Sequence, residues 1–190
     1  MTTKMERLLA PATGMNSRLA GLFLWQLDDQ TRRLTEDTRG ATTAELAWQP
    51  APGMNTIGML LAHIAVVEVG WVMRGIRGEP FGAADSVFPL QWADAGVPLA
   101  AGGRPPTGLA GRDLGYFDDL LARARRFTRT TLAPLTDAEL ERHATFPLPW
   151  SADTEMETNG LWTLYHVLEH QAGHYGQINL LRHQYAPGRE

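Results

Sequence analysis

The sequence predicts an all-α fold: a four-helix bundle with a long crossover between its second and third helices. Three observations carry this. Four stretches of 20 to 28 residues are bounded by capping residues, Pro or Gly. No region shows sustained two-residue alternation, so strands are not expected. The connection over about residues 76–110 is the longest irregular stretch, as suits a bundle crossover.

The first helix is expected over about 14–39, with Asn16 or Ser17 placed to cap its start and Gly40 its end. "TTAELAWQPAPGMN" then gives a short helical turn and a Pro/Gly connection. The second helix runs over about 55–75, with Asn55 as its cap and Gly75 and Gly78 at its exit. The crossover is rich in Gly, Pro and Ala, and a loop of that length marks a functional or partly structured segment. The third helix spans about 111–133 and is stopped by Pro134. Thr136 caps a short helix at 136–141, after which the chain runs extended through "FPLPWSADTE". The fourth helix covers about 158–185 and ends before Pro187 and Gly188.

Composition narrows the function. A chain of 190 residues suits a single domain, 1–190, large enough to bury a core. The net charge of −4 offers no polyanion-binding surface, so no nucleic-acid partner is expected. There is no cysteine, which excludes disulfides, a thiolate nucleophile and thiolate metal ligands. Any metal must be held by His, Asp or Glu. The N-terminus lacks the apolar core of a signal peptide, and no apolar run approaches the ~20 residues of a membrane span. The expectation is a cytoplasmic protein with no membrane association.

Chemistry concentrates in the fourth helix. "LYHVLEHQAGHYGQINLLRHQY", residues 164–185, holds His166, His170, His174 and His183, four of the six histidines. Positions four apart lie about 40° apart on a helix, so His170 and His174 share one stripe with Val167, Ile178 and Leu181. His166 flanks that stripe and His183 projects from the opposite side, at the surface. In the second helix, Thr56, Leu60, His63, Val67 and Trp71 form a corresponding stripe with His63 at its middle. Two core-facing stripes thus carry imidazoles where leucine would ordinarily stand. A buried imidazole without a partner costs about 1–3 kcal/mol. Two readings answer that cost: mutual hydrogen bonding in the core, or a divalent metal on His63, His170 and His174. Three nitrogen ligands leave an open position, as catalytic sites do, and imidazole ligation suits Zn, Ni or Fe, with Cu a further candidate.

Other motifs are absent. "HQAGH" has Gln171 where a zinc protease carries its glutamate base, and Glu169 turns about 100° away from His170. There is no GxSxG, Walker A or dinucleotide fingerprint. "AGGRPPTGLAGR" lacks the strand–turn–helix context of a phosphate loop. The Asp pairs at 28–29 and 118–119 read as solvated helix faces, Phe23 and Trp25 as core, and His143 as exposed.

On "ELAWQPAPGMNTIGMLLAHIAVVE" and "LYHVLEHQAGHYGQINLLR" the chain resembles the DinB/YfiT-like metalloenzymes. That family typically reads L-x-W-x-P-x-P-G-x-x-S-I-x-x-L-x-x-H and then H-V-x-x-H-x-x-H-R-G-Q-I. Tyr175 stands where Arg is usual, and Asn55–Thr56 where a Ser is usual; neither position is a ligand. The resemblance implies an up-down-down-up bundle, His63, His170 and His174 as metal ligands, and Gln177 as part of the same motif. His166 is then a residue supporting the ligands. It also implies homodimers and, in some members, transferases or isomerases that use mycothiol, bacillithiol or glutathione. The expected activity is a divalent-metal-dependent transferase with a low-molecular-weight thiol cosubstrate. A metal-dependent hydrolase and a non-catalytic metal-binding stress-response protein are the alternatives. The crossover and "FPLPWSADTE" would wall the cleft, and Arg104 and Arg112 are candidates for recognising a carboxylate.

Overall fold

The computed structural model describes residues 8–80, 86–87, 90–148 and 151–185. Among the described residues it is mostly helical, with four long α-helices and two short ones. The long helices are α1 (Arg18–Thr38), α3 (Ile57–Val72), α4 (Leu114–Leu132) and α6 (Gly160–Gln184); the short ones are α2 (Thr43–Ala47) and α5 (Asp137–Leu140). α3 packs on α4 and α6, and α1 packs on α6 and α4, so each long helix has two long neighbours.

The caps explain the boundaries. Ser17, Thr42, Asp113, Thr136 and Asn159 each accept a hydrogen bond from a backbone N–H in the first turn of the helix they open. Thr136 completes a capping box with Glu139. The cap of α3 is Thr56, one residue later than expected, because its hydroxyl reaches Met59 N. α3 runs on into a π-helical turn, Met73–Arg77, closed by Gly78 at φ +72°.

α3 shows more than a stripe: every one of its residues is buried. An all-round apolar helix must be enclosed on every side. The segment Ile57–Arg77, 21 residues, is therefore long and apolar enough to cross a membrane by length and composition, contrary to the sequence expectation. Here 94% of its most apolar window is buried inside the fold, as the core helix. Part of the cover comes from the crossover. A 3₁₀ turn at Trp92–Ala95 packs on α3, and Leu90, Ala95 and Leu109 are buried.

The all-α expectation needs one correction. β1 (His143–Leu148) and β2 (Ser151–Asn159) form an antiparallel pair, with Thr145 opposite Glu157 and Phe146 opposite Met156. The alternation is real but short. Phe146 is buried, Ala144 and Leu148 are half-buried, and His143, Thr145 and Pro147 are exposed. Pro147 is tolerated because a two-stranded ribbon has only edges. The inner face packs Phe146, Leu148 and Met156 against Val67, Trp71, Val167 and Trp162. A hairpin alone is marginal, so this apolar contact holds it.

Candidate metal centre

His63 lies near the middle of α3, and His170 and His174 lie one turn apart on α6. The fold brings all three together. His170 Nε2 is 3.1 Å from His63 Nε2 and 3.0 Å from His174 Nε2. One ligand atom from each lies within 4.8 Å of the others.

Hydrogen bonding accounts for this cluster poorly. An imidazole nitrogen presents either one N–H or one lone pair in the ring plane. His170 Nε2 therefore cannot donate to one neighbour and accept from the other. If its lone pair were shared by two N–H donors, His63 would carry its proton on Nε2. Its buried Nδ1, which has no partner, would then be a bare acceptor; with the lone pair on Nε2 it is an unpaired N–H instead, so this atom does not choose between hydrogen bonds and a metal. Three lone pairs directed at one cation satisfy both short contacts at once. The two edges at His170, 3.1 Å to His63 and 3.0 Å to His174, match the separation of nitrogens bonded at about 2.0–2.1 Å to one first-row ion. With Nε2 as the ligand atom, Nδ1 keeps the proton. His174 Nδ1 then donates to Gln177 Oε1 at 2.8 Å, which orients the ring.

Burial favours the neutral form of His63 and His170. Burial, and then the charge of His174, push His63 down to about 4. Burial and the neighbouring histidines push His170 down to about 2. At neutral pH both rings are in the form that binds metal. Trp92 from the crossover stands edge-on to His63, with ring centres 6.1 Å apart. The hairpin and Trp71 supply an apolar flank beside the site. These are the two segments the sequence proposed as walls, although Pro149 and Trp150 lie outside the described residues.

The remaining candidates separate. His166 stacks on Trp162 at an interplanar angle of 4° and meets Trp71 edge-on. Its Nδ1 faces Glu169 Oε1 at 3.1 Å, and its ring centre is 6.1 Å from that of His170. It stands beside the cluster, outside the converging nitrogens. His183 is exposed, and so is His143, which pairs across the hairpin with Glu157. Arg104 and Arg112 are exposed, the latter over the Tyr116 ring. Gln171 turns away from the histidines and donates to Thr31 Oγ1 at 2.8 Å. Tyr175, at the position where Arg is usual, donates to Asp37.

Sequence reasoning missed two features. Trp92 gave no signal, because the crossover has no period to place it. A buried polar network also escaped notice. Arg125 Nε and Nη2 donate to Glu68 Oε1 and Oε2 at 2.9 and 3.0 Å, and Nη1 donates to Asp28 Oδ1 at 2.9 Å. Asp28 is thus ion-paired as well as partly solvated. The signal was Glu68 itself, a lone acid in the apolar run "HIAVVEVGWV", which demands a cationic partner.

A family model described as the DinB superfamily matches residues 26–178, a span that contains all three clustered histidines. None of the curated proteins matches the chain. The family match covers most of the sequence, and the chain belongs to the DinB superfamily.

Proposed function

We propose that this protein is a divalent-metal-dependent enzyme whose ion is held by His63, His170 and His174, and that it transfers a group to or from a low-molecular-weight thiol. The observation that carries the metal reading is the approach of His63 and His174 to one nitrogen of His170, which hydrogen bonds could satisfy only by sharing one proton or one lone pair between two rings. A divalent ion there would lower the pKa of a thiol that reaches it and stabilise the anion at neutral pH. The chain has no cysteine, so a thiol nucleophile has to arrive as a cosubstrate. Thiol use by some members of the family the chain resembles supports this choice over a hydrolase. Within the reading, Gln177 orients His174, Trp92 and the hairpin limit water, and the four long helices form the up-down-down-up bundle of one domain, 1–190. A cytoplasmic homodimer completes it.

The test is direct. The tag-free protein is expected to carry about one metal per chain by mass spectrometry, and a His170→Ala/His174→Ala variant none. No metal in the parent, even after reconstitution with Zn, Ni, Fe and Mn, would return the cluster to a core feature. Turnover of electrophilic substrates only when thiol is added separates the transferase from a hydrolase.

A further inference from the structure

We infer that Arg125 is a positioning residue for the three-histidine site: its guanidinium fixes the register between the two helices that supply the imidazoles. The inference rests on the metal reading above. Arg125 lies on α4 with its side chain only 11% exposed. It forks onto Glu68 of α3 through two bonds of 2.9 and 3.0 Å, and onto Gln171 Oε1 of α6 at 3.2 Å. Glu68 and Gln171 are both fully enclosed. Asp28 of α1 takes the remaining arm and also accepts from Arg129 at 2.7 Å. One guanidinium therefore touches all three other long helices.

Position along the helices gives this contact its meaning. Glu68 follows His63 by five residues, about 7.5 Å along α3 and about 140° around it. Gln171 is the residue after His170. Arg125 therefore grips α3 and α6 beside their ligand positions, from the side away from the imidazoles. Sliding or rotation of α3 against α6 would part His63 from His170 and would also break the fork. Stability alone does not explain such a group, because buried ion pairs replaced by apolar side chains often leave stability unchanged or higher. A bidentate fork supplies direction, fixing both axial position and rotation. A metal site requires that, since its ligands must hold to within about 0.5 Å.

Cobalt(II) titrated into the purified full chain, followed by its visible absorption, tests the inference. The Glu68→Met/Arg125→Met variant removes both charges and keeps the volume apolar. It is expected to keep its helical circular dichroism, to bind cobalt at least tenfold more weakly, and to show an altered visible band. Arg125→Lys, which keeps the charge and loses the fork, should fall between it and the parent. Leu132→Ala, in a separate cluster with Ala20, Leu140 and Leu164, lowers stability and should bind as the parent does. A folded double variant with the parent's affinity and spectrum overturns the inference. If the double variant does not fold, parent-like binding by Arg125→Lys overturns it instead. A parent that binds no cobalt overturns the metal reading, and this inference with it, before any substitution is made.

Discussion

His63 shows in one residue how the site is built and what it costs. The side chain is 7% exposed in a helix otherwise made for the core, and its Nδ1 has no partner. In the metal-free chain this sets a pH dependence. The folded ring titrates near 4 and the ordinary value is 6.5, so between these values the unfolded chain binds a proton that the folded chain refuses. Stability is complete above about pH 6.5 and falls as pH drops towards 4, by about 3 kcal/mol from this group alone. Burial of His170 adds to the loss in the same direction. Urea midpoints of the metal-free protein should therefore fall steadily from pH 7 to pH 5, and less steeply in His63→Leu. Equal midpoints across that range would contradict the burial of neutral imidazoles. The clustering of His170 and His174 was legible because a spacing of four fixes two side chains on one helix face whatever surrounds them. Arg125 was not, because its partner Glu68 lies 57 residues away and meets it only through packing.

At the scale of elements, what was legible followed local chemistry. Helix ends with a hydroxyl or carboxylate cap were placed to within a few residues. The sequence points to Asn55 as the start of α3, but its Oδ1 is buried without a partner and Thr56 makes the cap. Two adjacent capping residues look alike in sequence; only the backbone turn decides which one faces the N–H. The hairpin escaped because its inner face has so few apolar positions and Pro147 interrupts it. The π turn after α3 also had no signature beyond Gly75, yet it makes a sharp prediction. A Cβ on Gly75 would lie 2.1 Å from Thr163 Oγ1 and 3.0 Å from its Cγ2. Thr163 is fully buried and its hydroxyl donates to Asn159 O at 3.1 Å, so it cannot swing aside. Gly75→Ala should cost about 1–3 kcal/mol as an overpacked contact. Adding Thr163→Ala should return part of that loss, as measured by chemical denaturation. Additive losses in the double variant would mean that the two residues do not meet.

For the whole molecule, the distance in sequence between the clustered histidines matters most. His63 and His170 are 107 residues apart and meet only when α3 and α6 are packed, so an ion on both binds the folded chain and not the unfolded one. Such binding stabilises by mass action, about 2.7 kcal/mol when free metal is a hundredfold above Kd. For a chain of this size that corresponds to a rise in Tm of about 5–10 °C. Zinc or nickel added to the metal-free protein should produce that rise, a chelator should reverse it, and His170→Ala/His174→Ala should abolish it. The exposed His143 and His183 provide the contrast, since loose binding there would raise Tm little and would survive the double substitution. A rise that persists in the double variant would therefore place the metal at the surface. The same rise in the parent alone would make the ion a clamp across the core, closing from the imidazole side what Arg125 holds from the other.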